Sequence, residues 1–185
     1  MAYFDLKTYE TRMNDSLAAL RKELGGLRTG RASPHLLDGV AVEAHGATAP
    51  LKAVAAVSVP EPRLLVVQVW DRSAVKAVEK AIRDAGLGLN PQIDGQTIRL
   101  PLPPLTEERR RDLVRTAHRL AEEHRVSVRQ IRQDANNTLK RLKKGGEIAE
   151  HVANSLTRKV QDLTDGMIAQ IDTLAARKEA EILAV

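Results

Sequence analysis

"GLRTGRASPHLLDG", residues 26–39, is where one hydrophobic rhythm stops and another starts. Upstream, Leu6, Tyr9, Met13, Leu17, Leu20, Leu24 and Leu27 recur at spacings of three and four, the pattern of an amphipathic helix with a seam. Gly25 and Gly26 weaken its end, and Pro34 prevents it from continuing. Between those signals stand Arg28, Thr29, Gly30 and Arg31, two cations around a pliable residue.

Downstream the period shortens. Val40, Val42 and Ala44 alternate, "AVAAVSV" (53–59) and "LLVVQVW" (64–70) are β-rich runs, and "QTIRL" (96–100) follows an Asp94-Gly95 turn. Asp71 or Ser73 heads a helix whose Val75, Val78, Ile82 and Ala85 share one face, closed by Gly86 or Gly88. "PLPPLTEERR" (101–110) ends this section: the prolines oppose ladder and helix, and Thr106 is the N-cap of the next helix.

That helix carries Val114, Ala117, Ala121, His124, Val128, Ile131, Ala135, Thr138 and Leu142 along one seam and stops at Lys143-Lys144-Gly145-Gly146. A third has Val152, Leu156, Val160, Leu163, Met167, Ile171 and Leu174, with Gly166 inside it. Rods of about 50 Å need one another for cover, so the glycine turn implies an antiparallel hairpin, which the first helix completes. The expected fold is α+β: a long antiparallel three-helix bundle, residues 1–29 and 105–185, interrupted by a small β/α/β domain at 30–104. The crossings, Thr29-Gly30-Arg31 and Pro103-Pro104-Leu105, read as a hinge.

Composition narrows the function. One Trp, one Phe and two Tyr leave the cores to aliphatic residues, and the absence of cysteine excludes disulfides and thiolate chemistry. No apolar run spans a bilayer and the N-terminal segment reads as neither secretory signal nor transit peptide, which places the chain in the cytoplasm. Net charge is +5, and residues 109–144 concentrate it, with twelve Lys and Arg against four Asp and Glu. On that helix Arg125, Arg129 and Arg132 fall within about 60° of arc, a stripe continued by Asn136 and Lys143 and suited to RNA phosphates. Tyr3, Phe4 and Tyr9 cluster at the N-terminus and Trp70 stands on a strand, giving no stacking platform, so RNA would be read by shape and phosphate. His35, His45, His118, His124 and His151 form no metal pair, and "GLGLNP" (86–91) lacks the Lys-Ser/Thr of a phosphate loop. No catalytic residue, metal or cofactor is expected.

"RTGRASP" (28–34), "VEKAI" (78–82), "LGLNP" (87–91), "IRLPLPPLTEERR" (98–110), "DAN" (134–136) and "DLTD" (162–165), in this order over the whole chain, resemble bacterial ribosome recycling factor. The resemblance implies an L-shaped molecule whose bundle binds large-subunit rRNA of the ribosome. Its hinged domain swings as elongation factor G hydrolyses GTP, and the ribosome parts into subunits. It puts rRNA contacts on Arg28, Arg31, Arg110, Arg129 and Arg132, and Gln133 departs from a second basic residue usual there. Two other classes remain beside it. A coiled-coil adaptor would dimerise along its seam where a recycling factor is monomeric, and an RNA chaperone would bind isolated duplex as well as ribosomes.

Overall fold

The structure, a computed structural model, describes residues 4–184, so Tyr3 lies outside the described residues. The chain divides into two compact units. One takes the chain up to Glu23 and Arg115–Glu179; the other takes Leu24–Val114 and the residues from Ala180 onward.

The first unit is built from α1 (Leu6–Gly25), α3 (Glu107–Lys144) and α4 (Glu150–Leu183). Asp5 caps α1, its carboxylate accepting from Lys7 N at 3.1 Å and Thr8 Oγ1 at 3.1 Å. Thr106 caps α3 by accepting from Arg109 N at 3.1 Å, as its sequence position predicts. At the far end of α3, Gly146 adopts φ +71°, while Glu147 N donates to Leu142 O and Gly146 N to Lys143 O. This is the glycine stop that turns the chain back into α4.

Bonded pairs show the direction of packing. Lys143–Glu150, Arg125–Asp172 and His118–Glu179 link α3 to α4, the partners climbing on one helix as they descend on the other. Tyr9–Thr138, Arg12–Asp134 and Ser16–His124 do the same between α1 and α3. Three antiparallel helices thus bury Met13, Leu17 and Leu20 of α1 against Ala121, Val128 and Ala135 of α3 and Val160, Met167 and Ile171 of α4. At about 25 cal/mol per Å² this burial is the main force holding together α1, roughly 30 Å long, and the rods α3 and α4, roughly 50 to 57 Å long.

One expectation shifts here and another is met. Val152 is exposed and Ala153 takes its place in the core. The α4 seam therefore starts one residue later than its aliphatic residues suggest. His124 is a satisfied seam histidine: Nδ1 shares a hydrogen bond with Ser16 Oγ at 2.8 Å and Nε2 meets Glu23 Oε2 at 3.2 Å.

In the second unit β1 (Ala41–Ala44) and β2 (Ala47–Pro50) form a hairpin, turning through His45 and Gly46 at positive φ. A four-stranded antiparallel sheet follows in the order β3 (Ala55–Glu61), β4 (Leu64–Val69), β6 (Thr97–Pro101), β5 (Gln92–Asp94), with α2 (Val75–Asp84) contacting β1 and β6. Leu65, Val67 and Val69 alternate inward from β4 and meet Ile98 and Leu100 of β6, Val42 of β1, and Val78 and Ile82 of α2. Asp71 heads the α2 region as expected, accepting from Ser73 N at 2.9 Å, although one 3-10 turn, Arg72–Ala74, intervenes.

The remaining differences are local. Leu51–Ala53 is a 3-10 turn, so β3 begins at Ala55. Trp70 falls just past β4. Pro101 ends the β6 ladder opposite Leu64, where a residue without an N–H is tolerated.

Candidate nucleic-acid interface

The basic stripe of α3 lies in the first unit, and its three arginines have different surroundings. Arg125 is largely covered, its side chain 18% exposed. Its Nε donates to Asp172 Oδ1 at 2.8 Å and its Nη1 to Glu122 Oε2 at 3.1 Å. Burial alone would lower its pKa, but the hydrogen bonds to Asp172 and Glu122 outweigh burial and raise it. Such an arginine joins α3 to α4.

Arg129 is more open and touches Glu122 Oε1 at 3.5 Å, the outer limit of a hydrogen bond. Arg132 is half-buried and makes no hydrogen bond or ion pair among the described residues. The carboxylates near it in sequence are engaged elsewhere: Asp134 accepts from Arg12 at 2.9 Å and from Gln130 at 3.2 Å, and Glu122 serves Arg125 and Arg129. Asn136, one turn further, has a buried Oδ1 without a protein partner. The middle of the stripe, at Arg132 and Asn136, therefore holds a donor and an acceptor without a protein partner, while Lys143 at its end pairs with Glu150.

Arg28, Arg31 and Arg110 lie in the second unit. Arg28 Nη2 donates to Pro103 O, tying the two chain crossings together, while its Nε is buried without a partner. Burial first, and the nearby Arg109 guanidinium second, lower the pKa of Arg28. Arg110 sits in the first turns of α3, half-buried, with its Nε also unpartnered. Arg31 is exposed; its backbone closes a small ring with Thr29 Oγ1, which accepts from Arg31 N at 3.3 Å and donates to Arg31 O at 3.1 Å.

Around these crossings Ala32 N donates to Pro62 O at 2.6 Å, Leu102 N to Arg63 O at 2.7 Å, and Leu105 is buried. Gly30 has an ordinary φ, and a Cβ there would only meet Ala184 O at 3.5 Å, so glycine is not demanded by sterics.

Asp172 is the residue that sequence reasoning passed over. Glu122, three residues before Arg125, was accessible to helix spacing; Asp172 lies 47 residues from Arg125 and needed the fold. Among the described residues no group of three His, Cys, Asp or Glu could hold a metal. His35, His45 and His118 each pair with a carboxylate instead. No helix among the described residues is long and apolar enough to cross a membrane.

Fold and surface together define a helical-bundle protein with an inserted sheet unit, whose long second bundle helix carries an excess of positive charge. The ribosome recycling factor family profile matches residues 20–183. The ribosome-recycling factor of Rhodospirillum centenum is 57% identical over 185 residues, with the whole of each chain covered, and that of a Bradyrhizobium species is 55% identical over 98% of this chain and 97% of its own. A solution structure of a ribosome recycling factor superposes with TM-score 0.79 at 43% identity, over 97% of this chain and 95% of its own. A second similar structure is that of the T. thermophilus ribosome recycling factor, which is bound with E. coli elongation factor G to the E. coli post-termination complex; it has TM-score 0.68 and 48% identity over 96% of each chain. The chain belongs to the ribosome recycling factor family, whose members are non-enzymatic translation factors.

Proposed function

We propose that this chain binds the post-termination ribosome through large-subunit rRNA in the cytoplasm. There, with elongation factor G and GTP hydrolysis, it promotes dissociation into subunits and frees the ribosome from mRNA for another round of translation. The observation that carries the binding step is Arg132. A half-buried arginine with no partner among the described residues, on the same face as Arg129, is poised for a charge-assisted bond to phosphate. Its neighbours engage other groups, so it is not a structural ion-pair arginine.

Arg28, Arg31 and Arg110 supply further cations. Buried Nε atoms on Arg28 and Arg110 await an acceptor, and the lowered pKa of Arg28 reflects burial and the repulsion from Arg109 that an incoming phosphate relieves. In the same reading residues 1–29 and 105–185 act as the ribosome-binding bundle, and residues 30–104 act as a domain hinged at Thr29-Gly30-Arg31 and Pro103-Pro104-Leu105. The protein works as a monomer.

Light scattering of post-termination ribosomes tests this directly. A fall in scattering that requires this protein, elongation factor G and GTP together supports the proposal. Ribosome binding without any fall would leave the RNA contact and remove the recycling step.

A further inference from the structure

Glu122 stands at the centre of a charge network that cancels part of the stripe. Arg125 Nε and Nη2 reach Asp172 Oδ1 at 2.8 and 2.7 Å, and its Nη1 reaches Glu122 Oε2 at 3.1 Å. The other oxygen of Glu122 extends to Arg129 Nη1 at 3.5 Å. Two guanidiniums thus face two carboxylates, and Arg132 alone is left uncompensated.

The bonds within this network are unequal. Those to Arg125 are short, involve two acceptor residues, and lie on a side chain that is only 18% exposed. The bond to Arg129 is long and joins side chains that are 46% and 55% exposed. Residues seven apart on a helix are separated by roughly 10.5 Å of rise, so Glu122 and Arg129 meet only with both side chains extended, at a cost in rotamer freedom. Of the contacts that Glu122 makes, the one to Arg129 yields first.

We propose that Glu122 is a placeholder for an RNA phosphate: in the free protein its carboxylate occupies the donor face of Arg129, and on binding a backbone phosphate takes that place. This rests on the reading of the stripe as the rRNA-binding surface. The exchange leaves no charge stranded, because Glu122 keeps Arg125 as its partner and Arg125 keeps Asp172. Its consequence is that Glu122 lowers affinity for RNA. The carboxylate must be displaced from Arg129 and then remains close to the incoming phosphate, a like-charge juxtaposition.

The test is ribosome binding by pelleting at several salt concentrations, with Glu122→Gln, Arg129→Ala and the double variant beside the parent chain. Glu122→Gln keeps the shape of the side chain and removes its charge. It is expected to tighten binding ~2- to 5-fold at low salt, in the range of an exposed ion pair, with the gain shrinking as salt rises. Arg129→Ala is expected to weaken binding, and in the Arg129→Ala background Glu122→Gln should bring a smaller gain, since the two residues act through one contact. Unchanged or weaker binding by Glu122→Gln, with Arg129→Ala still weak, overturns the placeholder role and leaves the stripe standing. Unchanged binding by Arg129→Ala overturns Arg129's place in the stripe and the placeholder with it. Melting curves of all variants show whether any change arises from the fold.

Discussion

In α3 of the bundle, buried residues recur at helical spacing, as at Ala117, Ala121, Val128, Ile131 and Ala135, while the opposite face, with Arg119, Glu122, Val126, Arg129 and Gln133, is open to solvent. In β4 of the sheet unit, Leu65, Val67 and Val69 are buried at every second position, and their neighbours face the other side of the sheet. The two burial periods leave different surfaces. A helix in a bundle needs only a stripe for its core, so the 109–144 segment can carry an excess of eight positive charges without disturbing packing. Residues 30–104, the middle stretch of the second unit, are close to neutral at +1 and place their aliphatic residues in a core closed by one helix and a hairpin. Positive charge is therefore concentrated where the fold is simplest.

The largest expected effect lies in the sheet core. Leu65→Ala, at a fully buried position between β3 and β6, should cost about 2–5 kcal/mol in urea unfolding. A cost below about 1 kcal/mol would mean that this core is loosely packed and the contrast with the bundle overstated. Next comes the crossing between chain segments. Gly30→Pro should leave ribosome binding largely intact and slow subunit splitting by roughly tenfold, as hinge changes act on turnover; splitting at the full rate would remove the hinge from the proposal.

Gly166→Ala makes the opposite kind of change. A Cβ at this exposed position inside α4 meets nothing within 4 Å, so the substitution should stabilise the bundle by about 0.5–1 kcal/mol, seen as a higher melting temperature. The smallest effect is acid sensitivity at Asp134. Hydrogen bonds from Arg12 and then Gln130 hold its carboxyl below the ordinary range. A depressed folded pKa gives stability that is present above the unfolded value and is lost as pH falls through the folded one. Asp134→Asn should therefore lower the melting temperature at neutral pH, only slightly since the pair is exposed, and converge with the parent below pH ~4, so that the acid limb of the profile is flatter.

Much of this architecture was legible because hydrophobic spacing is local. The three long helices, the Thr106 cap, the glycine stop after Lys144 and the β4 and β6 strands follow from residues within a few positions of each other. β2, "ATAP", and β5, "QID", were not legible: they are short, lack β-branched alternation, and exist because β1 and β6 offer them ladders. The same limit applies to the stripe. Its angular alignment could be read from spacing, but the division of labour within it could not. Arg125 is tied to α4 by Asp172, whereas Arg132 has no bonded partner among the described residues, and Asp134, two residues further on, turns to Arg12 of α1. Partners on other helices decide which of these side chains are held.

That division makes Arg132 the sharpest test. Ribosome affinity should be measured against salt for the parent chain and Arg132→Ala, with melting temperatures alongside. The expected result is a loss of about 1–3 kcal/mol in binding, a salt slope shallower by roughly one counterion, and an unchanged melting temperature. Unchanged affinity and slope, or a fall in melting temperature that accounts for the loss, would contradict the role given to Arg132.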